Sequence, residues 1–166
     1  MTSLSATELK ELASDLLNEL DKLNQLKNEI ERTQQLLEQP ALNQVVCESL
    51  ALKLHNFYTG CERIFQIIAT ELNGGLPSSF NWHQRLLSRM ATRQPHRPPV
   101  ISEETEKNLK EYLGFRHVIR NIYGFELDNN RVQELINNYY PVWESFKQEL
   151  NEFIDWLQQL ASEMEK

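Results

Sequence analysis

The stretch SATELKELASDLLNELDKLNQLKNEI, residues 5–30, decides the fold class. Ser5 is followed three residues on by Glu8, a capping box in which each side chain satisfies a free backbone N–H of the other at a helix start. Leu9, Leu12, Leu16, Leu20, Leu23, Leu26 and Ile30 then recur at three- and four-residue steps, which a helix gathers into one apolar stripe. The spacing predicts a helix from about Ser5 to Gln39, stopped by Pro40, which lacks a backbone donor and clashes with the preceding turn.

The same period governs the rest of the chain. From about Ala41, Val45, Leu50, Leu52, Leu54, Phe57, Cys61, Ile64, Phe65, Ile68 and Leu72 place apolar groups around more of a helix than the first stripe does, which marks this helix as the central one. Asn73-Gly74-Gly75 and Pro77-Ser78-Ser79 end it, and Asn81 or Ser79 is placed to cap a short helix through Met90. Residues 92–101, TRQPHRPPVI, form an irregular Pro-rich loop. Ser102 caps a fourth helix whose first turn carries Glu103, Glu104 and Glu106, favourable against the positive helix N-terminus, and whose pattern extends to about Tyr123. A fifth begins after Asp128-Asn129-Asn130 and continues nearly to the C-terminus, with Pro141 expected to kink it. The expected architecture is all-α: one domain over residues 1–166, an up-and-down helical bundle of four long helices and one short one, with residues 1–40 as the long N-terminal helix.

Composition agrees with this. Only 5 Gly and 6 Pro interrupt 166 residues, and 40% of the chain is hydrophobic, enough for a core. The net charge of −7 disfavours nucleic-acid binding through overall charge, so any RNA contact must come from a local patch. No apolar run approaches the roughly 20 residues of a membrane span, and Met1 to Thr7 lack the basic-then-apolar order of a signal peptide, so the expected location is the cytoplasm with no membrane contact. Cys47 and Cys61 lie on one helix about 21 Å apart, so they cannot pair there. They read as buried thiols, and with no His/Cys cluster neither a metal site nor a cofactor is expected.

Reactive side chains are densest in Phe115-Arg116-His117-Val118-Ile119-Arg120-Asn121-Ile122-Tyr123. On a continuous helix Arg116, Arg120 and Tyr123 share one stripe, with His117 and Asn121 on the next. A solvated helix face fits this pattern; so does a phosphate site, where guanidinium groups make paired hydrogen bonds and an imidazole or amide acts on a hydroxyl. Arg93, His96 and Arg97, preceded by Arg85 and Arg89, form a second cationic cluster, either the lip of an RNA groove or a solvated loop. Trp82 and His83 read as packing and capping groups, and His55 as a polar group satisfied at the bundle seam.

The run YLGFRHVIRNIYGFELD (Tyr112 to Asp128) resembles the signature of HEPN-domain proteins of the HepT-like type, ribonuclease toxins found beside small nucleotidyltransferases. The resemblance extends to LALKLHNFYTGCERIF (Leu50 to Phe65) and NWHQRLLSRM (Asn81 to Met90). It implies a dimerising helical bundle with metal-independent endoribonuclease chemistry at a motif of Arg, four to six residues, His, then Tyr. Arg116 and Tyr123 match, and Asn121 stands where the His is expected. An amide cannot take up a proton, so proton transfer would fall to His117, with Arg116 and Arg120 on phosphate and Asn121 orienting the hydroxyl. The implied partners are a second copy of the chain, RNA, and an antitoxin nucleotidyltransferase that adenylylates Tyr123. The alternatives are a non-catalytic nucleotide- or RNA-binding module of the same fold and a purely structural helical adaptor.

Overall fold

The computed structural model describes residues 4–39 and 43–166. Its helices are α1 (Ala6–Gln35), α2 (Asn43–Leu72), α3 (Trp82–Met90), α4 (Glu103–Ile119) and α5 (Asn129–Met164), with 3-10 turns at Leu36–Glu38 and Gly124–Glu126. The chain is an all-α bundle of four long helices and one short one. The expected helix start at Ala41, and Pro40 itself, lie outside the described residues.

Cross-helix contacts give the directions. Glu19 and Leu23 of α1 meet Arg63 and Gly60 of α2, so these helices are antiparallel. Arg116 and Arg120 of α4 meet Glu62 and His55 of α2, again antiparallel. Phe57 and Phe65 of α2 meet Tyr139 and Phe146 of α5, so α2 and α5 are parallel. The long helices therefore alternate up, down, up, down, and α2 is central, touching α1, α3, α4 and α5. Gly60 permits the closest approach of α1: a Cβ there would lie 2.5 Å from Leu23 Cδ2.

Caps explain the helix boundaries. Ser5 and Glu8 form the expected reciprocal box, Ser102 accepts from Thr105 N–H at 3.1 Å, and Asp128 accepts from the N–H groups of Asn130 and Arg131. At the end of α2, Gly74 and Gly75 take φ of 73° and 127°, and Gly75 N–H donates back to Ala69 C=O at 3.0 Å, which satisfies a helix-end carbonyl. α3 differs from expectation. Asn81 occupies its N-cap position without a side-chain bond to the helix, because Ser79 Oγ donates to Asn81 Oδ1 at 2.6 Å. α5 remains one helix through Pro141.

Residues 92–101 are better ordered than their composition suggested. Gln94 and Arg97 exchange two backbone hydrogen bonds around Pro95-His96, and the N–H groups of Val100 and Ile101 both donate to Met90 C=O. Arg97 is buried: its guanidinium donates to Asn73 Oδ1, Pro98 C=O and Arg89 C=O, pinning the turn to the end of α2. Burial, with Arg89 nearby, lowers its pKa to about 10.

The core centres on Phe57, whose ring meets Tyr112, Tyr139 and Trp143 edge-on at 5.3, 5.0 and 6.5 Å. Three helices are thereby tied through one side chain, and Tyr112 OH also donates to Leu135 C=O. Phe57→Ala should lower the unfolding free energy by about 3–5 kcal/mol in urea denaturation, because its neighbours on α4 and α5 cannot all move into the cavity. A loss below about 1 kcal/mol would contradict this account of the core.

Candidate functional site

A buried carboxylate organises the junction of α2, α3 and α4. On α2, Tyr58, Cys61, Glu62 and Phe65 all point into the core, and Glu62 is the only acid among that helix's buried residues. Arg116 of α4 answers it: Nη1 donates to Glu62 Oε1 at 3.1 Å and Nη2 to Oε2 at 2.9 Å. Glu62 is 4% exposed and Arg116 2%. The guanidinium also lies 4.8 Å from the centre of the Tyr58 ring. Two charges taken out of water are costly unless their hydrogen-bonding capacity is used, which this paired geometry and Thr59 Oγ1, 3.5 Å from Nη1, achieve.

α3 contributes the third member. His83 Nδ1 lies 2.7 Å from Glu62 Oε2 and 3.1 Å from Arg116 Nη2. Trp82 stacks on the imidazole with ring centres 3.7 Å apart. His83 therefore bonds to α2 rather than capping its own helix.

α4 ends four residues earlier than the apolar pattern suggested, at Ile119. Asn121 is the physical reason: its side-chain Nδ2 donates to His117 C=O at 2.7 Å, taking the place of the next turn's backbone donor. The single stripe of Arg116, Arg120 and Tyr123 consequently does not form. Arg116 points into the core while His117, Arg120, Asn121 and Tyr123 are exposed beyond it. Arg120 Nε donates to His55 Nε2 at 3.3 Å. Tyr123 is 71% exposed and its ring stacks on that of Phe125 with an interplanar angle of 5°. Val118 and, on α2, Leu52 and Val45 leave apolar surface in solvent.

Of the loop residues, Arg93 and His96 are exposed, whereas Arg97 is spent on the fold. Cys47 and Cys61 are free and buried, and burial pushes the Cys61 thiol well above its ordinary pKa. Sequence reasoning missed Glu62 altogether and underrated His83. The available signal was a carboxylate at 62 flanked at helical spacing by Tyr58, Cys61 and Phe65, a charge on a core face that required a cation.

Accepting a hydrogen bond from Arg120 requires Nε2 of His55 to be unprotonated. Burial first, then the charges of Arg120 and Arg116, lower the His55 pKa from 6.5. Folding thus favours the neutral ring, a contribution complete above the unfolded pKa and lost as the pH falls through the folded one. His55→Gln should lose less stability than the wild type as the pH falls below 6.5 in parallel urea titrations. The charged pair gives a larger effect. Glu62→Ala or Arg116→Ala should each cost about 3–5 kcal/mol in urea denaturation, because either leaves its partner buried and unpaired. Glu62→Leu with Arg116→Met should cost clearly less than the sum, and additive losses would show that the two charges do not act as a pair.

A family model described as HepT-like protein matches residues 49–157. No curated protein and no solved structure matches the chain. The matched span begins in α2 and closes in α5, taking in Glu62, His83, Arg116 and the exposed end of α4. A match over that span, on a helical bundle of the expected order, places the chain in the HepT-like family.

Proposed function

We propose that this HepT-like chain binds RNA at the exit of α4 as a homodimer in a toxin–antitoxin type system, and that it cleaves RNA without a metal ion. The observation that carries the reading is the projection of His117, Arg120 and Tyr123 into solvent at the end of α4, just beyond the point where Arg116 is locked to Glu62. Arg120 is the phosphate contact, since Arg116 has its donors committed inside the core. His117 adds a second donor to phosphate on the same turn. Tyr123, exposed and stacked on Phe125, presents its phenol to an enzyme that must reach it, which suits adenylylation by a nucleotidyltransferase partner. The exposed Val45, Leu52 and Val118 supply apolar surface for the second copy. His96 and Arg93 extend the cationic surface on the α3–α4 loop.

A second reading, a binding module without catalysis, is favoured by one observation. The Asn121 amide stands where the motif imidazole is expected and is occupied with the His117 carbonyl.

Incubating the purified protein with structured RNA in EDTA should give cleavage, and Arg120→Ala should reduce it by about 10-fold or more through lost phosphate contact while leaving thermal stability close to wild type. RNA retention in a gel shift without cleavage would select the binding module, and neither retention nor cleavage would overturn the RNA reading. With ATP and the nucleotidyltransferase, the wild type should gain the mass of an adenylyl group and Tyr123→Phe should not. Leu52→Glu should convert a dimer to a monomer in light scattering.

A further inference from the structure

An imidazole serves as a general base when one ring nitrogen carries a lone pair open to substrate, and it serves best when a carboxylate holds the other nitrogen's proton and so fixes ring and tautomer. Among the 4 histidines only His83 has that arrangement. His55 uses Nε2 as an acceptor from Arg120, with Nδ1 buried. The side chains of His96 and His117 make no hydrogen bond to any described residue, so nothing orients them.

Nδ1 of His83 lies 2.7 Å from Glu62 Oε2 and 3.1 Å from Arg116 Nη2, and the shorter contact favours the tautomer with the proton on Nδ1, donating to the carboxylate. Both oxygens of Glu62 accept hydrogen bonds from Arg116. The lone pair of neutral His83 is then on Nε2. That atom bonds to no described residue, is absent from the buried unpaired atoms, and belongs to a side chain 31% exposed. Trp82 stacked on the ring holds its plane. The groups around the imidazole are thus Glu62 from α2, Arg116 from α4 and Trp82 from its own helix.

His83 also lies in line with the proposed RNA contact. His55, Thr59 and Glu62 follow one stripe of α2 at steps of four and three residues, and the ends of that stripe engage Arg120 and His83. Seven residues of helix span about 10 Å, within reach of a dinucleotide.

We propose that His83 is the catalytic base of this chain, standing in for the motif histidine that Asn121 replaces, with Glu62 as its positioning residue; the proposal rests on the ribonuclease reading above. The 2′-oxygen of RNA bonds to the adjacent phosphorus as its proton passes to His83 Nε2. The bond from phosphorus to the 5′-oxygen of the next nucleotide breaks, and that oxygen takes a proton from water. His83 then returns its proton to the hydroxide left behind. The products are a 2′,3′-cyclic phosphate and a 5′-hydroxyl end, with no change in oxidation state. Arg120 holds a neighbouring phosphate of the same strand and so keeps the reacting ribose at His83.

Two measurements on the full chain test this. Nitrogen-15 NMR of the wild type should show neutral His83 as the Nδ1–H tautomer; an Nε2–H tautomer would leave no lone pair facing solvent and overturn the proposal without touching the ribonuclease reading. In RNA cleavage with EDTA, His83→Gln, which keeps a donor for Glu62, should lose about 100-fold or more. Added imidazole should raise cleavage by His83→Gly, a rescue that a purely structural role would not produce. Wild-type cleavage matched by His83→Gln overturns the assignment and leaves the ribonuclease reading standing. No cleavage by a wild type with the Nδ1–H tautomer overturns the ribonuclease reading and the use of His83 with it.

Discussion

The ion pair between Glu62 and Arg116 is the constraint to which the working end of this bundle is tied. Each ion alone, taken from water into the junction of three helices, would cost several kcal/mol, and that penalty falls only if the partner sits at hydrogen-bonding distance with its donors aligned. The pair is therefore less a source of net stability than a geometric demand. It holds α4 at one register against α2, because a shift of one residue would turn Arg116 away from the carboxylate. It also draws α3 in, because the second oxygen of Glu62, which accepts from Arg116, also lies 2.7 Å from His83 Nδ1.

What is exposed follows from what is locked. With Arg116 committed to the core, the next turn of α4 carries His117 and Arg120 outward, and the chain leaves the helix where Asn121 caps His117 C=O. Tyr123 and Phe125 then stack on a short turn instead of being laid along the bundle. One buried contact thus separates the motif arginine from the rest of its motif. Cations that a helical wheel places together end up with different tasks: Arg116 orders the junction, and Arg120 meets solvent beside His55.

Most of the architecture was legible before any coordinates. The capping box at Ser5 and Glu8, the cap at Ser102 and the Gly74-Gly75 stop are local chemistry, each completed within a few residues, and all of them form. The errors have one character. At Ile119, at Arg97 and at Asn81 a local pattern was overruled by a side chain that found a different partner: Asn121 on a carbonyl, Arg97 on three acceptors spread from Asn73 to Pro98, and Ser79 on the residue that should have capped α3. An arginine among prolines reads as solvated surface. Only the fold could show that carbonyls at the end of α3 and within the loop turn inward to receive it.

By itself the sequence determined the fold class, the number and order of the helices, the caps at Ser5 and Ser102 and the family signature, because periodicity and capping depend on neighbours within one or two turns. The tertiary structure alone decided which members of that signature are free to act. Glu62 and Arg116 are separated by 54 positions and Glu62 and His83 by 21, so no local pattern connects them. Whether a polar side chain faces water or another helix is set by the packing of whole helices, and the cost of leaving a charge unpaired in that interior made these three residues meet.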